Sequence, residues 1–282
     1  MPGTLFVVAT PIGNLEDITA RALRVLREVA LIAAEDTRRT SRLLARYAIA
    51  TPTTSLHEHN EAIKSTALIA RLQQGDDVAL VSDAGTPTLS DPGGHLIQAA
   101  IQSRIRVEPI PGPSAAIAAL AVSGLPTDRV TFLGFPPVRS KDRNRWFMEA
   151  RAAGGTVVFF EAPHRIRRTL EEFQRTIGDC RVCVARELTK AHEELVRGPI
   201  SEILSGLGVP KGEFTVVAVI GRKTEYDEPP SVDDRLLLRE LGEMTKIAGL
   251  TRRRALTAVA RRHGLTANIV YEAIERAKKS GE

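Results

Sequence analysis

Cysteine is scarce in this chain of 282 residues: Cys180 and Cys183 are the only two, and they form a C-x-x-C pair. A redox pair wants its first thiol at a helix N-terminus, where the dipole favours thiolate. Here Cys180-Arg-Val-Cys-Val-Ala185 reads as a strand, and odd spacing sends the two side chains to opposite faces. A structural zinc site needs a full set of ligands, and no second Cys or His pair accompanies this one. His57 and His59 flank Glu58 in a polar loop rather than on one helix face, so no metal is expected. Long apolar runs are missing too. The longest, Ala115 to Val122, is far too short to span a bilayer, and no basic region precedes the short apolar run Leu5 to Ala9. No membrane segment or secretory signal is read, and a cytoplasmic protein is the expectation.

Common nucleotide and hydrolase signatures are also absent. No G-x-x-x-x-G-K-[ST] occurs, which excludes a Walker A loop, and no G-x-S-x-G elbow supports a serine hydrolase. Gly206-Leu-Gly-Val-Pro-Lys-Gly212 approaches a dinucleotide fingerprint, but its spacing is off by one and Pro210 would interrupt the helix. Hydride transfer is therefore disfavoured.

What is present is a globular composition, 43% hydrophobic and 26% charged, in a chain longer than one typical domain. The net charge of +5 is unevenly spread: residues 231–282 hold eleven Lys+Arg against seven Asp+Glu, leaving 28 against 27 for the rest. That pattern suits a small polyanion-binding appendage on a near-neutral body.

The chain is organised around Leu80-Val-Ser-Asp-Ala-Gly-Thr-Pro-Thr-Leu-Ser-Asp-Pro-Gly-Gly94. An apolar run, Val78 to Val81, has the length of a buried strand, and the Gly, Pro and Asp that follow cannot continue it. A solvated turn of the same composition is the alternative, but the arrangement recurs. Leu5 to Ala9 ends at Thr10-Pro-Ile-Gly-Asn14, Leu31 to Ala34 at Glu35-Asp-Thr-Arg38, and Val107 to Ile110 at Pro111-Gly-Pro-Ser114. In an open α/β sheet, ligands collect beyond the carboxyl ends of strands. Between these strands the pattern predicts helices: one capped by Asp17 or Thr19 with Ile18, Ala22, Leu26 and Val29 on one face, then Glu61 to Gln74, Leu96 to Gln102 and Ala115 to Val122. Thr54 to Asn60 reads as a polar loop.

A second α/β unit begins near Val130, with strands Val130 to Leu133, Thr156 to Phe160, Val182 to Ala185 and Phe214 to Ile220, and helices Arg139 to Ala152 and Ile166 to Ile177. The expected division is 1–126, 127–224, a linker at 225–230 and a helical unit at 231–282. In that last unit Ala260-x-x-x-Gly264, Leu265-Thr266, Ile269, Val270 and Ala273 have helix-turn-helix spacing, decorated by Arg252, Arg253, Arg254, Arg261, Arg262, Lys278 and Lys279. Nucleic-acid contact and a packing-only cap are the two readings of it.

Several stretches, in order, resemble one family: Ala9-Thr-Pro-Ile-Gly-Asn-Leu-Glu-Asp-Ile18, Ala34-Glu-Asp-Thr-Arg38, Ser82-Asp-Ala-Gly-Thr-Pro87, Ser90-Asp-Pro-Gly93, Pro111-Gly-Pro-Ser114, Glu161-Ala-Pro-His-Arg165 and Arg186-Glu-Leu-Thr-Lys190. It is the bacterial 16S ribosomal RNA cytidine-2′-O-ribose methyltransferases (ribosomal small subunit methyltransferase I), a branch of the tetrapyrrole methylase fold. The resemblance covers about Leu5 to Ile220, with the C-terminal helices a looser match. It implies an α/β protein of two αβα domains with S-adenosylmethionine in the cleft between them. It also implies a ribose hydroxyl of a decoding-centre cytidine as acceptor, in 16S rRNA within the small ribosomal subunit, and a homodimer.

Carried over by motif, cofactor contacts fall on Pro11, Ala84, Gly85, Thr86, Leu89, Ser114, Ala115, Phe160, Leu188 and Phe214. The tetrapyrrole branch has Gly-Asp-Pro where this chain has Gly85-Thr86-Pro87, a departure that weakens a porphyrin-precursor reading. A ribose hydroxyl is a poor nucleophile near neutral pH, so a positioned base or cation should help it lose its proton. Asp36, Glu187 and Lys190, at predicted strand tips, are the catalytic candidates; Arg38, His57 and Asn60, with Arg252, Arg253, Arg254, Arg261 and Arg262, are candidates for gripping RNA. Each could instead serve a structural ion pair or loop hydrogen bond. A tetrapyrrole C-methylase and a non-catalytic RNA-binding module are the rival readings.

Overall fold

A computed structural model describes residues 1–208, 210–221, 234–246, 251–263, 270–271, 273–275 and 277. Residues 1–221 form one compact unit and 222–282 another. The first unit opens with β1 (Thr4–Val8), a 3-10 turn (Leu15–Asp17), α1 (Ala20–Glu28), β2 (Leu31–Ala34), α2 (Thr37–Arg46), β3 (Thr53–Ser55) and α3 (Glu61–Gln73). It continues with β4 (Val78–Val81), α4 (Gly94–Gln102), β5 (Arg106–Ile110) and α5 (Ala115–Ser123). The five strands pair in the order β3-β2-β4-β1-β5, and all four pairings are parallel.

Helices on both faces explain why β2 and β4 are apolar and buried at every position. Strand alternation sends Ile32, Ala34, Ala79 and Val81 toward α1 and α2, and Leu31, Ala33, Val78 and Leu80 toward α3 and α4. Thr19, not Asp17, caps α1, accepting the Ala22 N–H at 3.1 Å. Because every pairing is parallel, the turns after β1, β2, β4 and β5 all emerge at one edge.

A second sheet follows, from β6 (Val130–Phe132), α6 (Ser140–Ala153), β7 (Gly155–Glu161), α7 (Ile166–Ile177), β8 (Arg181–Arg186), β9 (Glu194–Pro199), α8 (Ile200–Gly206) and β10 (Phe214–Ile220). Its order is β6-β7-β10-β8-β9, with β6 parallel to β7 and the other pairings antiparallel. One face carries Trp146, Phe147, Leu170, Phe173, Ile200 and Ile203 of α6, α7 and α8 against Val157, Phe159, Val182, Val184 and Val216. Cys183 in β8 faces the other way, while Cys180, which the structure places one residue before the strand, packs on the first face.

What covers the second face is α5, the helix that leaves the first sheet. Ala116 and Ala119 lie against Val158, Cys183, Ala185 and Val217. Their small side chains let the helix axis approach the strands closely. The expected boundary at 126/127 falls just after this helix, between α5 and β6.

Four elements were not legible as such. α2 (TRRTSRLLAR) has only Leu43 and Leu44 as large apolar residues, too few to show a period. β3 is a three-residue polar edge strand, read as the start of a loop. β9 is an edge strand containing Gly198 and Pro199, residues that argue against a strand. α8 has seven residues and runs into the glycine-rich stretch at 206–212, which hid it.

In the second unit, α9 (Asp234–Lys246) and α10 (Arg252–His263) pack Leu237, Leu241, Ala255, Val259 and Ala260 against Val270, Ala273 and Ile274. His263 and Glu240 meet at 2.8 Å, and Arg252 pairs with Glu275 at 3.2 Å. The expected linker, and Gly264 to Ile269 of the helix-turn-helix pattern, lie outside the described residues. Among the described residues no helix is long and apolar enough to cross a membrane.

Since Ala119 is fully buried under the second sheet, Ala119→Leu overpacks the joint between the sheets. Urea unfolding of the full chain should show a loss of about 1–3 kcal/mol. An unchanged midpoint would mean that α5 does not bear on the sheet as described.

Candidate active site

The two sheets present their functional edges to each other. From the first come the turns after β1, β2, β4 and β5. In the second, β10 runs against both β7 and β8, pairing Phe214 with Glu161 and with Arg186. The ends of β7 and β8 and the start of β10 therefore share one edge. Between the two edges lies a cavity of about 390 Å³. Ile12, Ala84, Gly85, Thr86, Leu89, Ser114 and Ala115 line it from one side, and Phe135, Phe160, Leu188, Phe214 and Thr215 from the other.

The turn after β4 is held in an unusual backbone conformation. Gly85, Thr88, Ser90 and Gly93 all have positive φ, at 80°, 73°, 72° and 121°. For Thr and Ser this is costly, and such outliers persist where surrounding bonds over-determine them. Those bonds are present. Thr10 N–H donates to Gly85 O at 2.8 Å and Gly85 N–H to Thr10 O at 3.0 Å. Glu61, buried, accepts the N–H groups of Gly93, His95 and Leu96 at 3.1, 2.7 and 3.3 Å, so α3 caps α4 and anchors the far end of the turn.

A second contact joins the edges. A Cβ built on Gly13 would fall 2.5 Å from Lys190 Cγ and 2.7 Å from Leu188 O, so the loop after β8 sits directly on the turn after β1. That loop has Glu187 at φ 50° and Thr189 at φ 65°. Lys190 Nζ holds it, donating to Glu187 at 2.8 Å and to Glu213 at 3.0 Å, while Glu187 Oε1 accepts the Glu213 N–H at 2.9 Å.

Nine of the ten expected cofactor contacts line the cavity: Ala84, Gly85, Thr86, Leu89, Ser114, Ala115, Phe160, Leu188 and Phe214. Pro11 is buried one residue before Ile12, which does line it. The three catalytic candidates stand at its border rather than in its wall. Asp36 caps α2 through the Arg38 N–H at 2.9 Å and also pairs with the Arg38 guanidinium, whose hydrogen bonds hold its carboxyl down at about 2. Hydrogen bonding to Lys190 lowers the Glu187 carboxyl, whereas burial depresses the Lys190 ammonium less than its two carboxylate partners raise it. At neutral pH all three are charged.

His57 N–H donates to Asn60 Oδ1 at 2.9 Å, and the two residues cap the turn after β3, beside Glu35 and Asp36. In the second unit Arg252, Arg254 and Arg262 are exposed; the side chains of Arg253 and Arg261 lie outside the described residues.

The residues that were overlooked are the acidic ones. Glu35, Asp83 and Asp91 line the cavity, with Arg39 paired to Asp83 at 3.2 Å. Glu35 Oε2 accepts the Asp83 N–H at 3.2 Å, and Asp83 Oδ1 accepts the Asp36 N–H at 3.0 Å. Asp91 is half-buried, and burial first, then Glu35, push its carboxyl up to about 6 against the partial relief of Ser82. Burial likewise raises Glu35. Opposite them Glu161 is buried, bound by Arg165 at 3.1 Å and by Thr169, with Arg143 behind at 4.0 Å. All lie inside the stretches that carry the resemblance; nothing in their spacing marks which carboxylates turn inward.

Two layered sheets with a shared cleft define a class. A family model described as Tetrapyrrole (Corrin/Porphyrin) Methylases matches residues 4–204. Among solved structures the chain is similar to a diphthine synthase (TM-score 0.64, 16% identity, covering 79% of this chain and 92% of that one). It is also similar to a uroporphyrin-III C-methyl transferase from Thermus thermophilus complexed with S-adenyl homocysteine (TM-score 0.55, 17% identity, 76% and 97% covered). Nearer in sequence are proteins named Ribosomal RNA small subunit methyltransferase I. That of Pseudomonas aeruginosa is 43% identical over 284 residues, 99% of each chain, and that of Halalkalibacterium halodurans 47% identical over 229 residues, 80% of this chain and 79% of that one. The chain belongs to the ribosomal RNA small subunit methyltransferase I family of the tetrapyrrole methylases.

The raised Asp91 carboxyl has a consequence for stability. Its folded pKa, about 6, exceeds the ordinary carboxylate value, so the ionised form is penalised in the fold. The penalty is absent below the unfolded pKa and complete above the folded one. Asp91→Asn should therefore raise the melting temperature at pH 8 and leave it nearly unchanged at pH 4. Equal effects at both pH values would contradict the placement of Asp91 in a desolvated wall.

Proposed function

We propose that this chain transfers a methyl group from S-adenosylmethionine to the ribose 2′-hydroxyl of a cytidine in the decoding centre of 16S rRNA. One observation carries the reading: a cavity enclosed by two strand edges, in a chain 43% identical end to end to a named rRNA methyltransferase. The cavity suits the cofactor. Small residues at Ala84, Gly85, Ser114 and Ala115 leave main-chain groups accessible, and Leu89, Phe160, Leu188 and Phe214 offer apolar contact for a purine. Glu35, Asp83 and Asp91 favour a ligand that carries positive charge. When bound, the sulfonium would supply an electrophilic methyl group; the chain's own task is to align the acceptor oxygen and manage its proton.

Asp91 is the group placed for the second task. It lines the cavity, and a carboxyl titrating at about 6 is closer to the working range of a base than one held at about 2, as Asp36 is. In this proposal Asp36 and Glu187 hold Arg38 and Lys190 in place, and Lys190 contributes positive charge at the cleft border. The rate should rise as pH climbs through about 6 and then level off.

The test is mass mapping of rRNA methylation after incubation of undermethylated small ribosomal subunits with the enzyme. A new methyl group on a cytidine ribose supports the reading, whereas transfer to a porphyrinogen and not to rRNA contradicts it. Asp91→Asn should reduce kcat by about 10²-fold or more while sparing affinity for S-adenosylhomocysteine. Near-normal turnover would remove Asp91 from the mechanism. Deleting 231–282, which carries Arg252, Arg254 and Arg262, should weaken RNA binding and flatten its salt dependence with cofactor affinity intact; unchanged RNA affinity would count against that unit's role.

A further inference from the structure

The cavity wall is acidic, and the proposed substrate is a polyanion. Its backbone must therefore be held beside the cavity by some other surface. α2 offers one. Between Thr37 and Arg46 it has four arginines, Arg38, Arg39, Arg42 and Arg46, and no Asp or Glu. At about 100° per residue these fall within one arc of about 100°, turned away from the buried Thr40, Leu43 and Leu44.

All four arginines are exposed. Arg38 pairs with Asp36 and Arg39 with Asp83, yet their side chains remain 88% and 63% accessible. Among the described residues no carboxylate pairs with Arg42 or Arg46; the Arg46 guanidinium lies 5.8 Å over the Tyr47 ring. A helix that needed charge only for solubility would gain more from mixed signs.

Position gives the stripe its direction. Arg39 and Glu35 line the cavity, so the stripe starts at its wall and runs outward for ~12 Å along the helix. β3 pairs with β2 through Ala34 and Ser55, which brings the His57–Asn60 turn to the same edge. Arginine forks suit phosphate oxygens, and a single-signed helix face suits a continuous backbone better than a compact ligand.

We infer that the arginine face of α2 holds the phosphates of the RNA strand that enters the cavity. This rests on the reading given under Proposed function. The substitutions Arg42→Gln and Arg46→Gln remove two exposed charges outside the cavity wall. With small ribosomal subunits as substrate, the double variant should raise KM for RNA several-fold. Its log-affinity slope against log salt should be shallower by about 1.4, with cofactor affinity unchanged.

Arg104→Gln with Arg106→Gln, the same charge change at the opposite edge of the first sheet, is the comparison. An unaltered KM and slope in the α2 variant overturns the inference, and so does an equal loss in the comparison variant. A wild-type chain that transfers no methyl group to the subunits contradicts the proposed reaction first and takes this inference with it.

Discussion

A short helix of small residues sets the geometry of the whole first unit. α5 leaves the first sheet at Pro111-Gly-Pro-Ser114 and buries Ala116 and Ala119 under the second. Its first turn is thus part of one sheet's functional edge while its body belongs to the other sheet's core. A larger residue at Ala119 would push the strands away, and the edges would separate. The seat of Leu188 and Lys190 on Gly13 is the second point of closure, at the border of the cleft. Between these fixed points the strand tips have little freedom, and the strained turn from Gly85 to Gly93 is held from both ends.

Charge is then divided by place. Carboxylates from the turns after β2 and β4 gather in the cavity wall, where burial raises Glu35 and Asp91. Arginines gather on the helix that begins two residues beyond Glu35. A cationic cofactor and an anionic strand call for opposite surroundings, and the sequence Glu35-Asp-Thr-Arg-Arg39 supplies both within a single turn of chain. Asp36 sits at the changeover. Its cap on α2 and its grip on Arg38 make it a structural part of that division.

Much of this was readable from residues alone. Strand ends bearing Pro, Gly or acid, at Thr10-Pro-Ile-Gly, Glu35-Asp-Thr-Arg, Ser82-Asp-Ala-Gly and Pro111-Gly-Pro-Ser, pointed to one shared edge. Four of the second sheet's five strands were visible as apolar runs. Less visible was anything decided by partners distant in sequence. Nothing in Ala115-Ala-Ile-Ala-Ala-Leu-Ala-Val122 says which sheet it covers, because its apolar residues have no sidedness. β9 was hidden by Gly198 and Pro199, which an edge strand tolerates and a central one does not. α2 was hidden because Leu43 and Leu44 alone are too few large apolar residues to mark a helical period. Asp91 lines the cavity directly after Ser90, whose positive φ is a conformation that sequence does not reveal for serine. The residues assigned to the cofactor by resemblance gather around one cavity because the motifs that hold them end neighbouring strands; motif alone did not rank the carboxylates, whose surroundings depend on burial.

The joint enclosure of the cofactor by two strand edges is tested most directly by a crystal structure with S-adenosylhomocysteine bound. The expected density lies between Gly85 and Ser114 on one side and Phe160, Leu188 and Phe214 on the other. Density elsewhere, or a cleft filled by Phe135 and Phe160 with the cofactor excluded, would contradict it.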